Sequence, residues 1–162
     1  MMADVNSAPP IHGTFALPLD LAAPPARVYA AYAERDLRTR WFRLPSESGQ
    51  GRHDLDFRVG GHEIATGVST AAGKAERLEY RSTFLDLTAG ERLVFCYEVI
   101  VDDRRRWVSL VTVELARRDG GTRLTHTEQY ALLAYAGDGA HDVGHLRGGT
   151  RLQFNGLAAV LA

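Results

Sequence analysis

The sequence predicts an α+β domain in which one strand, two short helices, an antiparallel meander and a long closing helix follow in that order. Three observations carry this reading. Apolar residues alternate at period two along several long stretches, a proline pair followed by helical spacing interrupts them early, and the last twenty or so residues change from period two to a helical period. With 162 residues the chain suits one domain with a substantial core, taken as 12–162 behind a flexible arm at 1–11 that holds Asp4, Asn6, Ser7, Pro9 and Pro10.

In the first strand, Phe15, Leu17, Leu19 and Leu21 alternate with Ala16, Pro18 and Asp20. Pro18 cannot donate to a ladder, which assigns this strand to an edge or a bulge. Pro24 and Pro25 suit a helix start, where fixed φ and a missing N–H do least harm, and Val28, Ala31 and Tyr32 share one face of that helix. A second short helix is expected from Arg35 to Trp41 and Phe42. Between Leu44 and Arg52 the cluster of Pro45, Ser46, Ser48, Gly49 and Gly51 marks a loop, expected as a mobile entrance. His62 to Thr70 then reads as a strand and Ala71 to Gly73 as a turn.

The central strands assign a single inward face. Leu78, Tyr80, Ser82 and Phe84 alternate with Arg77, Glu79, Arg81 and Thr83; Leu93, Phe95, Tyr97 and Val99 oppose Glu98; Trp107, Ser109, Val111, Val113 and Leu115 oppose Thr112 and Glu114. The three arginines 104–106 are expected at a solvated hairpin tip, and Asp119-Gly120-Gly121 supplies the next turn. Leu124 then sets the register that sends His126 and Glu128 inward. From Asp142, a plausible N-cap, helical spacing runs through Leu146, Gln153, Leu157 and Val160. Gly148, Gly149 and Gly156 each cost this helix about 1 kcal/mol relative to Ala, which anticipates close approach to the sheet, a ligand, or a late start near Thr150.

Charge and composition exclude several classes. The net charge is −1, so no broad basic field points to DNA or RNA. Apolar runs stay at strand length, as at Val99 to Val101, far below the roughly 20 residues of a spanning helix, and no secretion signal opens the chain; a soluble, cytoplasmic protein without membrane insertion is expected. Cys96 is the single cysteine, which fits a reducing compartment. No nucleophile elbow, phosphate loop or dinucleotide fingerprint is present, the histidines at 12, 53, 141 and 145 lack ligand-like spacing for a metal, and no cofactor is expected.

Asp56-Phe-Arg-Val-Gly-Gly61 and Thr122-Arg-Leu-Thr-His-Thr-Glu128 are the most individual stretches, and with the order of elements they carry a resemblance. Joined by His12-Gly-Thr-Phe15, Pro24-Pro-Ala-Arg-Val-Tyr-Ala-Ala31, Arg40-Trp-Phe42, and Arg147 with Gly149-Thr150, they make the chain similar to START-like proteins. Within these, it resembles the family related to the carboxy-terminal domain of the activator of heat shock protein 90 ATPase. The resemblance implies the helix-grip fold, a curved antiparallel sheet of about seven strands wrapped around the long C-terminal helix, with a cavity between sheet and helix. It does not fix a function, because this superfamily shares shape more than chemistry. Where relatives commonly carry an apolar residue between the two threonines of the last strand, this chain has His126.

The favoured reading is a protein that binds a small hydrophobic or aromatic ligand in that cavity, lined by Tyr80, Phe95, Tyr97, Trp107, Val111, His126 and Glu128. In an alternative, a cyclase, hydrolase or dehydratase uses the same cavity, with His126 or Glu128 as the candidate proton-moving group. A further alternative is a chaperone-associated interaction module, suggested only by the family name. Glu63 competes with His62 for the inward face, since neighbours on a strand point apart. Trp41 and Phe42 are weighed between packing beneath the short helices and lining a mouth or anchoring a partner. Self-association, where it occurs, is expected as a homodimer through an edge strand or the surface around Trp41.

Overall fold

The computed structural model describes residues 8–45, 51–71 and 73–162. Strand β1 (Ile11–Leu21) leads into helices α1 (Pro25–Ala33) and α2 (Arg35–Trp41). Six strands follow, β2 (His53–Leu55), β3 (His62–Ser69), β4 (Glu76–Thr88), β5 (Arg92–Val101), β6 (Arg104–Arg118) and β7 (Gly121–Leu132), and helix α3 (Ala140–Leu161) closes the chain. The strands form one antiparallel sheet in the order β1-β7-β6-β5-β4-β3-β2. β2 to β7 are a plain meander, and β1 returns to cover the free side of β7. Pro18 therefore lies on an edge strand, as its missing N–H requires.

The alternation seen in the sequence becomes one buried face. Phe15, Leu17, Tyr80, Phe84, Leu93, Phe95, Val111, Val113, Leu115 and Leu124 all point inward, and burying each large side chain stabilises the fold by about 1.5–3 kcal/mol. Two register shifts, between Phe84 and Asp86 and between Val99 and Ile100, interrupt long β4, β5 and β6. Irregularities of this kind bend strands and raise their twist, which lets the sheet curl around a helix.

Helix α3 supplies that filling. It buries Leu146, Thr150, Phe154, Leu157 and Leu161, a stripe repeating every three or four residues, and it touches α2, β1 and α1. At the other side, Trp41 packs edge-on against Tyr32 and donates its indole N–H to the Ala31 carbonyl at 2.9 Å. Trp41 and Phe42 are buried core residues, which accords with packing beneath the short helices rather than lining a mouth.

Two local expectations are corrected. Helix α3 starts at Ala140 rather than near Thr150, and its cap is Gly139, whose φ of 79° suits glycine. Asp142 lies in the first turn instead, where its carboxylate accepts from the Ala136 N–H at 3.0 Å and from Arg106 at 3.1 Å. This ties the start of α3 to β6. The tip of the β5–β6 hairpin is Asp102-Asp103, both with positive φ, which Asp tolerates better than most residues. Arg104, Arg105 and Arg106 already belong to β6, with Arg105 paired to Glu98 and Arg106 to Asp142. The expected entrance between Leu44 and Arg52 falls partly on residues 46–50, which lie outside the described residues.

The glycines of α3 divide into two kinds. A Cβ at Gly144, Gly148 or Gly149 would meet nothing within 4 Å, whereas one at Gly156 would stand 3.3 Å from the Trp41 carbonyl oxygen. Close approach explains only Gly156. Gly148→Ala is expected to stabilise the protein by about 0.5–1 kcal/mol through helix propensity. Gly67→Ala is expected to destabilise it by more than that, because its Cβ would collide with the Pro45 backbone. Urea denaturation of the two variants checks both signs.

Candidate functional site

Register places a polar row across the otherwise apolar inner face. Glu63 opposes Ser82, Ser82 opposes Tyr97, Tyr97 opposes Ser109, and Ser109 opposes Tyr130. The next row is Phe84, Phe95, Val111, Glu128 and Phe15, so Glu128 reaches the polar row from an aromatic one. Small serines thus alternate with large tyrosines along this row.

Glu128 is fully buried. One carboxylate oxygen contacts His126 Nε2 at 2.9 Å, and the other accepts from the Tyr97 hydroxyl. Tyr97 in turn accepts from Trp107 Nε1 at 3.3 Å. Phe15 stacks on the His126 ring at 6.2 Å, and Phe154 of α3 meets that ring edge-on at 5.4 Å. The chain His126–Glu128–Tyr97–Trp107 thus runs from the packed interior toward the half-exposed end of the inner face, where Val99, Trp107 and Tyr130 are incompletely covered. Burial pushes the Tyr97 phenol well above its ordinary range, and the neighbouring Glu128 adds to the rise. The hydroxyls of Ser82 and Ser109 are buried and approach the Tyr80 and Tyr97 phenols without a well-formed hydrogen bond.

A second buried carboxylate was less visible. Glu63, not His62, takes the inward position. Arg38 of α2 holds it through two parallel bonds of 2.8 and 2.9 Å, and His53 of β2 contacts it at 2.7 Å. The guanidinium lies 4.0 Å from the Phe42 ring centroid and 4.5 Å from that of Trp41. Burial resists ionisation of Glu63, but Arg38 and His53 outweigh it and hold its pKa below the ordinary carboxylate value. This cluster joins residues 25 apart in sequence, a helix, an edge strand and a neighbouring strand. The sequence offered one signal for it, the period-two placement of Glu63 with buried Ala65.

Of the predicted lining residues, Tyr80, Phe95, Val111, His126 and Glu128 are buried on the inner face, and Tyr97 and Trp107 are half-buried beside them. The structure brings all seven to one side of the sheet, with Tyr80 stacked on Tyr97 at 5.1 Å. An open groove of about 880 Å³ lies on the opposite, outer face, bordered by Ile64, Arg81, Cys96, Val108, Leu110 and Ala131 among others. Tyr97 is the one predicted residue that borders it. Since that side chain points inward, Tyr97 contributes backbone there.

Comparison with known proteins agrees with this architecture. Residues 22–162 match the model of the family described as activator of Hsp90 ATPase homolog 1-like protein. The chain belongs to that family. Among solved structures it is similar to the Mll3558 protein of Rhizobium loti, with 32% identity over 95% of this chain and 100% of that one and a TM-score of 0.79. It is also similar to an uncharacterized protein of Rhizobium leguminosarum, with 27% identity over 94% and 96% of the two chains and a TM-score of 0.80. Protein Ms6760 of Mycobacterium smegmatis, 20% identical over 96% of both chains with a TM-score of 0.69, shares the fold. No curated protein matches the chain. Membership in the activator of Hsp90 ATPase homolog 1-like family is consistent with a ligand-binding domain, and no helix among the described residues is long and apolar enough to cross a membrane.

Removing one partner of the Glu63 cluster strands a buried charge. Arg38→Met is expected to cost about 3–5 kcal/mol in urea denaturation. Because the Glu63 pKa is lowered on folding, its stabilisation is fully present above the ordinary carboxylate range and is lost as pH falls through the lowered value. Glu63→Gln should therefore flatten the acid limb of the stability curve. At the alkaline end the sign reverses. Tyr80 and Tyr97 have raised values, so their neutral forms stabilise the fold fully below about pH 10 and that contribution is lost above it. Absorbance titration should show both phenols ionising only as the protein unfolds.

Proposed function

We propose that the protein binds a small hydrophobic or aromatic molecule between the inner face of the sheet and α3. The observation that carries this reading is the His126–Glu128–Tyr97–Trp107 chain. It gives an aromatic surface a few fixed polar groups near an incompletely covered end, the composition usual for small-molecule pockets. Tyr80, Phe95 and Val111 supply apolar wall, and the serine hydroxyls offer hydrogen bonds at its base. Trp107 ends the chain and borders the proposed mouth.

A second reading is favoured by one contact. His126 and Glu128 can share a proton as imidazolium and carboxylate or as imidazole and acid, so a bound substrate could draw on the pair for general acid–base chemistry. Tyr97 is then a positioning residue that holds the carboxylate. Tyr97→Phe leaves one Glu128 oxygen and the Trp107 N–H without their partner, at an expected cost of about 1–3 kcal/mol.

Native mass spectrometry of gently purified protein tests the binding reading directly, since a retained ligand adds its mass. Energy transfer provides a second test. Trp41 and Trp107 are the only tryptophans, so in a Trp41→Phe variant Trp107 alone reports on the proposed mouth. Its emission is expected to fall when N-phenyl-1-naphthylamine binds. A protein that carries no added mass and shows no transfer to this probe would not be a binder of small aromatic molecules at this site.

A further inference from the structure

Arg147 of α3 has a side chain that packing alone does not account for. Arg38 and Arg106 are matched by Glu63 and Asp142. Arg147 forms no ion pair among the described residues, and its Nε is buried without a hydrogen-bond partner. Its guanidinium carbon lies 5.5 Å from the centroid of the Phe15 ring. That ring also stacks on His126 and tilts against Tyr130, both at 6.2 Å. Arg147 and Phe154 are seven residues apart on α3, two helical turns or about 10 Å, and share one stripe of the helix. Phe154 seals His126 from above, and Arg147 stands two turns nearer the incompletely covered end.

Charge accounting sharpens the point. Glu128, which opposes Phe15 in the β1–β7 register, already has both oxygens in contact with His126 and Tyr97. Among the described residues, no carboxylate pairs with Arg147, whose side chain is half-buried with its Nε unpartnered. A buried cationic N–H without an acceptor is unfavourable, and an anionic oxygen is its strongest complement.

We infer that the molecule held on the inner face is an amphipathic anion, with a hydrophobic body against the aromatic wall and a carboxylate- or sulfonate-type head group on Arg147. This rests on the reading of the inner face as a small-molecule site, and it adds the head-group chemistry and the residue that selects it. Glu128 strengthens the selection at the other end, because a second anionic group placed there would meet a carboxylate whose hydrogen bonds are already taken.

Two probes that share an N-phenylnaphthylamine body separate the two ideas. One is 8-anilinonaphthalene-1-sulfonate, which carries the anion, and the other is N-phenyl-1-naphthylamine, which lacks it. Wild-type protein is expected to bind the sulfonate at least about ten-fold more tightly, and Arg147→Met to lose about ten-fold for the sulfonate with little change for the neutral probe. Arg147→Lys should retain part of the preference, since it keeps the charge and loses the planar fork. Added chloride should weaken only the sulfonate in wild type, a measurement that needs no variant to fold. If the neutral probe binds while neither Arg147→Met nor chloride alters the sulfonate, the anion site is wrong and the binding reading survives. If wild type binds neither probe, both fall.

Discussion

Glu128 lies with no exposed surface on the central part of the sheet, and the protein has to satisfy its carboxylate from within. The partners come from two strands. His126 is two residues back on β7, and Tyr97 reaches across from β5, passing over β6 at the level of Ser109 and Val111. A slip of one residue in β5 would turn Tyr97 outward, and one in β7 would turn His126 and Glu128 outward together; either breaks the Tyr97–Glu128 contact and strands a polar group in an apolar layer, at a cost of about 1–3 kcal/mol or more. The Tyr97–Glu128 hydrogen bond therefore ties β5 to β7 across β6. The small side chain of Ser109 is what allows the Tyr97 phenol to cross.

From this constraint the distribution of space follows. A large residue at Ser82 or Ser109 would support neighbouring aromatics directly but would crowd the phenols that serve Glu128. The serines keep the polar row thin, and the aromatic residues on either side rise above it. Helix α3 closes the far end of this surface with Leu157 and Leu161 and the middle with Phe154. Toward its start the helix contributes Gly144, Gly148 and Gly149, whose positions have open space around them. The helix is therefore held by the buried stripe Leu146, Thr150, Phe154, Leu157 and Leu161 along its length and by the Asp142 contacts at its first turn, while Gly144, Gly148 and Gly149 lie on its exposed side.

Much of this was legible in the sequence because antiparallel strands with one buried face write their geometry at period two. The order of elements, the curved sheet, the edge position of Pro18 and the inward direction of His126 and Glu128 all come from that periodicity or from the family resemblance it supports. What the sequence concealed depends on contacts between distant segments. Arg38 reads as an ordinary helix charge, and only the tertiary meeting of α2 with β3 makes it the partner of Glu63. The three-residue β2 is too short to show a period, so His53 had no assigned face. Asp142 has the composition of a cap, yet a left-handed Gly139 already begins the helix, which frees the carboxylate for Arg106. Arg147 stands in the sequence beside Gly149-Thr150, but that it forms no ion pair among the described residues is a property of the packed structure alone.

The two buried carboxylates are satisfied by different chemistry. Glu63 is paired with an arginine, a charge that stays in place at any pH the fold survives, and two parallel bonds fix its orientation. Such a pair locks α2 to β3 and has little freedom to answer a ligand. Glu128 has no permanent cation. It relies on an imidazole and a phenol, groups that can donate, accept or exchange a proton without changing the net charge of the cluster. A polar centre of that kind can adjust to what is placed against it at a smaller electrostatic cost than a locked ion pair. Glu128 lies on β7 beside β1, a strand that α3 touches, and Arg147 stands over Phe15 of that same strand. The fixed ion pair thus lies beneath the short helices, and the proton-sharing groups lie beneath Phe154 of α3.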